Sequence, residues 1–166
     1  MDYARKIRKR ALNTGPQSVV AKSRYLLYKY ANEKISKAIE NGFYLEAITL
    51  EESIISDRLE AYLFRLTKEN KYDFKPLGEL LIATKKLSQS NEVIKLCEEI
   101  DVWRDQRNKM LHEFVKIEVE IEIEEIIKKS ELAALKGKYL AGKVSKVTRK
   151  LITKIQKEET DVANLP

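Results

Sequence analysis

Apolar residues recur at helical spacing along most of this chain. They return every third or fourth position, which is the period of an amphipathic α-helix. Asn41-Gly42 fits the end of one helix, Pro76 fits the first turn of another, and Ser88–Asn91 fits a loop with a helix cap. The pattern predicts helices over residues 17–40, 43–69 and 76–87, from 91 to at least 114, and over 126–159.

Two segments make this pattern less regular. Residues 115–123 alternate strictly between apolar and charged residues, which is typical of a β-strand. No other segment offers a partner strand, so we favour a continued helix over a strand that pairs across a dimer. The last helix is predicted to break near Ser130 or Gly137, and residues 160–166 are expected to form a loose end.

The second helix has the clearest apolar face. Its members are Tyr44, Ile48, Ile55, Leu59, Tyr62 and Leu66. Glu52 falls within the width of that face and Glu51 flanks its opposite margin. An acid close to a buried face needs a partner, unless it reaches solvent from the rim. The first helix carries a similar face rich in tyrosine, which is expected to pack in the core.

Composition agrees with one helical domain. The chain has 166 residues, 43% of them hydrophobic, with five Gly and three Pro, which suits an all-α protein. We expect a basic leader over 1–16, a helical bundle over 17–130, a basic C-terminal helix over 131–160 and a loose tail over 161–166. The net charge of +6 favours polyanionic partners such as RNA, DNA or acidic membrane surfaces.

The remaining composition excludes several kinds of site. Cys97 and His112 are the only residues of their types, so a zinc site of the usual ligands does not fit and no internal disulfide can form. No apolar run is long enough to span a bilayer, no signal core follows the basic N-terminus, and no Gly-rich phosphate loop occurs. We therefore expect a cytoplasmic protein with no cofactor, no metal and no membrane association.

The residues most suggestive of chemistry are Arg107 and His112, in the fourth predicted helix. Histidine is the commonest general acid or base, and arginine can hold a phosphate through two parallel hydrogen bonds. Arg107 falls on an otherwise apolar face made by Leu96, Ile100, Trp103, Met110, Leu111 and Phe114. A charge there must be paired, so we expect Glu52 or Glu51 to pair with Arg107 or to orient it. Asp105, Asn108 and His112 share a neighbouring polar face.

The pattern Arg107-Asn108-x-x-x-His112 on an amphipathic helix resembles the signature of HEPN domains (higher eukaryotes and prokaryotes nucleotide-binding). The resemblance covers about residues 20–130 and implies an up-and-down bundle of about four to five helices, extended here by the long basic C-terminal helix. Many such domains are metal-independent endoribonucleases, in which the Arg and His of two protomers form a composite site. The resemblance implies that Arg107 contacts the scissile phosphate, that His112 transfers a proton and that Asn108 assists.

This resemblance implies a homodimer that acts on RNA, with a role as a toxin or in defence against phage. Further RNA contacts are expected from basic residues near the motif and in the leader, namely Arg104, Lys109, Arg5, Arg8 and Arg10. Asp105 joins Glu51 and Glu52 as a residue that could orient Arg107. Some HEPN toxins carry a Tyr, modified by the antitoxin, at the position of Phe114. Phe lacks the hydroxyl, so that route of silencing is excluded here, while another regulatory protein partner stays open.

Two other functions remain open. One is a non-catalytic HEPN-like module that binds RNA or a protein, with Arg107 in a structural ion pair. The other is a helical adaptor unrelated to the family. The enzyme hypothesis expects Arg107 and His112 to face a shared basic cleft at a two-fold interface. Side chains that point apart, one into the core and one into solvent, favour the binding module.

Overall fold

The computed structural model describes residues 19–116 and 122–163, and its regular structure is entirely helical there. The five helices of these ranges are α1 (Val19–Glu40), α2 (Tyr44–Thr67), α3 (Leu77–Leu87), α4 (Asn91–Val115) and α5 (Ile123–Ala163). The predicted all-α class is therefore confirmed. The predicted helices begin and end within a few residues of the observed ones, apart from the end of α5.

A glycine turn separates α1 from α2. Gly42 has φ +76, a conformation that costs glycine no steric strain. Its N–H donates to the Ile39 carbonyl at 3.1 Å, and the N–H of Phe43 donates to the Ala38 carbonyl at 2.8 Å. These two bonds satisfy carbonyls that the end of a helix leaves free, in the manner of a Schellman motif. The Asn41-Gly42 stop predicted from the sequence is therefore confirmed.

Four helices enclose the core. The chain divides into two compact units between Lys34 and Ile35, and the second unit contains α2 to α5. In it α2 packs against α3 and α5, and α4 also packs against α3 and α5, so the four helices form a closed ring. Apolar side chains from all four fill the interior. Those that are almost completely buried include Ile55, Leu59, Leu63, Leu80, Leu81, Leu96, Ile100, Trp103 and Leu140.

The first unit contains the beginning of α1. Lys29 and Glu33 form an ion pair at 4.0 Å one helical turn apart, and the Lys34 ammonium lies 5.2 Å from the centre of the Tyr30 ring. Tyr25, Leu26 and Tyr30 are exposed. The expectation that this tyrosine-rich face packs in the core is therefore wrong for these three residues.

The last helix is longer and more continuous than predicted. It runs without a break through Ser130 and Gly137, so the predicted break is wrong. The Ser130 hydroxyl donates to the Ile126 carbonyl at 2.7 Å, which satisfies it within the helix. The helix also continues to Ala163, so residues 160–163 are not a loose end. Near that end, Glu159 accepts hydrogen bonds from Arg65 and Lys68, which holds α5 against the end of α2.

The alternating segment is not a continuous helix. α4 ends at Val115, Lys116 has extended backbone angles, and α5 begins only at Ile123. The preference for a helix over 115–123 is therefore wrong at Lys116 and Glu122. Residues 117–121 lie outside the described ranges, and so does the whole of the predicted leader.

Candidate functional site

Arg107 lies on α4, where the helix turns its apolar face toward α2 and α5. Its side chain is only 11% exposed. Trp103, one turn earlier, is buried beneath it, and the guanidinium carbon lies 5.7 Å from the centre of the indole ring. A cation over an aromatic face is stabilised electrostatically, and the flat ring restricts where the guanidinium can lie. Of the other predicted members of this face, Phe114 is 44% exposed, so the apolar face is shorter than the sequence pattern indicates.

Glu52 of α2 is the acid that pairs with Arg107. Arg107 Nη1 donates to Glu52 Oε2, and the Glu52 side chain is partly exposed. A guanidinium carries five N–H donors, so a bond from Nη1 leaves others for a further acceptor. The pair joins α2 to α4 and holds the guanidinium in one place. Together, Glu52 and Trp103 position Arg107.

Glu51 has a different environment from its neighbour Glu52. It is completely buried, and both of its carboxylate oxygens lack a hydrogen-bond partner among the described residues. Burial raises its pKa from 4.5 to about 8, an effect partly offset by the positive charge of Lys138. The expectation that Glu51 pairs with Arg107 or reaches solvent from the rim is therefore not met. At neutral pH this carboxyl holds its proton.

The space occupied by Glu51 depends on a glycine in α5. A Cβ atom added at Gly137 would overlap the Glu51 carboxylate and would lie 2.8 Å from Trp103 Cζ2. The Trp103 indole N–H donates to the Ala133 carbonyl at 2.8 Å, which ties α4 to the same stretch of α5. A glycine in the middle of a helix often marks such a close approach. That signal was present in the sequence, but it does not identify which side chains approach.

Asp105, Asn108 and His112 form the polar face next to Arg107. All three are exposed, as the helical spacing predicts. His112 follows Arg107 by five residues, which places the two side chains roughly 140° apart around the helix axis. Arg107 therefore points toward α2 while His112 points into solvent. One side chain is thus directed into the bundle and the other into solvent, which is the arrangement expected from the sequence for the non-catalytic binding module.

The basic residues proposed for RNA contacts lie in different settings. Arg104 is held by Asp101 at 3.1 Å and by Asp105 at 2.9 Å, so its charge is already neutralised. This pairing also means that Asp105 orients Arg104 rather than Arg107. Lys109 is exposed and lines a groove between α4 and α5. The leader residues Arg5, Arg8 and Arg10 lie outside the described ranges.

The described residues contain neither a metal site nor a membrane-spanning helix. No group of three or more His, Cys, Asp or Glu side chains within 19–116 and 122–163 is placed to hold a metal ion. Within the same ranges, no helix has an apolar stretch long enough to cross a membrane. No protein-family model, curated protein or solved structure matches the chain.

Proposed function

We propose that the protein is a metal-independent endoribonuclease of HEPN type, with a catalytic site composed of residues from two chains. The observation that carries the proposal is the arrangement on α4. Glu52 and Trp103 hold Arg107 at a defined place, and Asn108 and His112 stand exposed on the adjacent face. Orienting a cation in advance is how proteins stabilise charge that develops on a phosphate.

The proposed reaction is an internal transesterification of RNA. His112 of one chain removes the proton from the ribose 2′-OH, and the 2′-oxygen attacks the phosphorus. The bond from phosphorus to the 5′-oxygen breaks, and a second His112 protonates that oxygen. The products are a 2′,3′-cyclic phosphate and a 5′-OH end. Arg107 neutralises the charge that develops on the phosphate, and Asn108 orients the phosphate.

One feature supports a composite site. The chain contains a single histidine, while this reaction needs one base and one acid, and a dimer supplies both. Arg107 and His112 point apart within one chain, which is the arrangement expected for the binding module, so the enzyme needs a histidine from a second chain beside Arg107. Single-stranded RNA or a loop is the expected substrate, because there the 2′-OH and backbone can adopt the reactive geometry.

In the cell, such an activity would suit a cytoplasmic toxin or an effector of phage defence. Phe114 cannot be modified as a tyrosine would be, so a regulator would have to block the site or prevent pairing instead. The 44% exposure of Phe114 makes it accessible to such a protein.

A non-catalytic module that binds RNA or a protein is the second candidate. The ion pair between Arg107 and Glu52 favours it, because a guanidinium that is 11% exposed and already paired can be purely structural. In that case His112 is an ordinary exposed residue. The net charge of +6 suits RNA binding in either case.

Cleavage of labelled RNA in the presence of EDTA tests the proposal. Structured and single-stranded RNAs are incubated with wild type, with His112→Ala and with a control, Glu98→Ala, which changes another exposed residue of α4. We expect wild type and the control to cut and to leave cyclic phosphate ends, and His112→Ala to be inactive. No cutting by wild type, or equal cutting by all three proteins, would refute the hypothesis that the protein is this enzyme. RNA binding by the inactive proteins, measured by fluorescence anisotropy, would then support the binding module.

A further inference from the structure

A groove with an apolar floor runs between α4 and α5. Its floor is formed by Val102, Met110, Leu132 and Ala133, and its volume is about 530 Å³. Small-molecule sites in proteins span about 300–1,000 Å³ and are lined mainly by apolar side chains with a few polar groups. Val102 and Leu132 are each 58% exposed, so this apolar surface is open to solvent. The groove therefore has the size and the lining of a small-molecule site.

Two ion pairs between α4 and α5 mark the ends of the groove. Lys129 pairs with Glu113 at 3.1 Å, and Lys143 pairs with Glu99 at 2.7 Å. The residue that comes earlier on α5 meets the residue that comes later on α4, so the two helices run antiparallel. At a rise of 1.5 Å per residue, the two ion pairs lie about 21 Å apart.

The middle of the groove is basic. Gln106 lies halfway between the two glutamates along α4, and Lys136 lies halfway between the two lysines along α5. The two residues are therefore level with each other on opposite walls of the groove, and both line it. Lys109 also lines the groove, about one turn from Gln106 on the α4 wall.

The two central lysines lack a counter-charge. Lys109 and Lys136 are exposed, and neither forms an ion pair within residues 19–116 and 122–163. The Lys136 ammonium lies 5.1 Å from the centre of the Tyr139 ring, a contact that does not neutralise its charge. One anionic group placed between the two lysines would be attracted by both.

The charges at the ends of the groove are already balanced. Lys129 is held between Glu113 at 3.1 Å and Glu125 at 2.9 Å. Lys143 donates to both carboxylate oxygens of Glu99, at 2.7 and 3.0 Å. An anion therefore gains more in the middle of the groove than at either end.

We propose that the groove binds a small amphiphile with one carboxylate and an unbranched apolar chain, in the manner of a medium-chain fatty acid. The carboxylate lies between Lys109 and Lys136 and accepts a hydrogen bond from the Gln106 amide. The chain covers Met110 and Leu132, which removes apolar surface from water. This inference goes beyond the proposed function and does not depend on it, since neither Arg107 nor His112 lines the groove.

The arrangement of charge favours this ligand over a larger anion. A nucleic acid presents a phosphate at every step of its backbone, and an acidic protein surface presents several carboxylates. Either would gain from the two central lysines and meet Glu113 or Glu99 beyond them. The floor is also made of apolar side chains, which offer hydrocarbon a better surface than they offer a sugar or a peptide.

Isothermal titration calorimetry with decanoate tests the groove. Acetate, which has no chain, and decylammonium, which has a positive headgroup, are titrated in parallel. We expect decanoate to bind wild type and the other two to bind at least about tenfold more weakly. A wild type that does not bind decanoate, or that binds decylammonium equally well, would overturn the proposal.

Removal of the two lysines tests where the carboxylate lies. The double variant Lys109→Gln/Lys136→Gln should raise the Kd for decanoate about tenfold, because two charged contacts become neutral. Lys146→Gln/Lys150→Gln is the matched control, since it removes two exposed lysines of α5 that do not line the groove, and it should bind as wild type does. Equal Kd values for the two double variants would overturn the proposal. So would a groove variant that loses affinity for an RNA oligonucleotide but keeps its affinity for decanoate, because the lysines would then serve RNA.

A charge on the floor tests where the chain lies. Leu132→Asp should abolish decanoate binding, because a carboxylate would replace apolar surface and would repel the headgroup. Ile82→Asp is the control, since Ile82 of α3 is an apolar residue outside the groove and is 65% exposed. Both positions are open to solvent, so both variants should fold, which circular dichroism checks. Decanoate that binds Leu132→Asp as tightly as Ile82→Asp would contradict the proposed position of the chain.

Discussion

Glu51 should make the stability of this protein fall as pH rises. Its pKa is raised from 4.5 to about 8 because the carboxyl is buried away from water. Between these values the folded protein holds a proton that the unfolded chain has released, so raising the pH favours unfolding. The effect is absent below the unfolded pKa and is complete once the pH passes the folded pKa. Glu51→Gln preserves the shape of the side chain and removes its titration.

The size of the effect follows from the width of this pH window. Each pH unit within it changes the free energy of unfolding by at most about 1.4 kcal/mol. Between pH 5 and pH 7 the wild type should therefore lose up to about 3 kcal/mol through Glu51. That is a large fraction of the stability of a typical domain. The stability curves of wild type and Glu51→Gln should lie close together in acid and separate as pH rises.

Urea unfolding at several pH values between 5 and 8 measures this separation. Glu46→Gln is the matched control, because Glu46 is an exposed acid on the same helix. It should show the same dependence on pH as wild type. A Glu51→Gln variant whose stability falls as steeply as that of wild type would refute the conclusion that Glu51 is buried without compensation.

Three further predictions concern the same core. Gly137→Ala should lower the free energy of unfolding by about 1–3 kcal/mol, because the added methyl group overpacks the core. The Cβ added by Gly142→Ala meets nothing within 4 Å, so this variant should raise the free energy of unfolding by up to about 1 kcal/mol. Urea unfolding of the two variants compares them. Trp103→Phe should cost about 1–3 kcal/mol in the same assay, because the Ala133 carbonyl loses its donor and a cavity forms, and unchanged stability would contradict this. Burial raises the pKa of the Cys97 thiol to about 12. The thiol should therefore react with a disulfide reagent at pH 8 only after the protein unfolds. Rapid labelling of the native protein would count against the burial of Cys97.

The sequence predicted most of the helices because their ends depend on local chemistry. Asn41-Gly42, Pro76 and Ser90 act within one or two turns of their own positions, and each marks the end or start of a helix as expected. The end of α5 could not be predicted in this way. It is held by Glu159 against Arg65 and Lys68 of α2, and no local pattern reveals a contact between residues so far apart in the chain.

The candidate site was predictable only in part, because it also depends on contacts between residues that are far apart in the chain. Helical spacing placed Arg107 on a buried face, and a buried cation demands an acid, so the expected partner was Glu51 or Glu52 of α2, with Asp105 as a further orienting residue. The choice between the two adjacent acids depends on how α5 approaches α2. Gly137 allows that approach, which leaves Glu51 enclosed and Glu52 free to reach Arg107.

The measurement that most directly tests a composite site is the RNA-cleaving activity of mixed dimers. Wild-type chains are mixed with increasing amounts of His112→Ala chains, with tagged chains confirming that subunits exchange. If both histidines of a dimer are needed, activity in EDTA should fall as the square of the wild-type fraction. A fall in simple proportion to that fraction would mean that one histidine is enough for each site, which would contradict the proposed pair of histidines, and wild-type chains that do not cut RNA would contradict the enzyme itself.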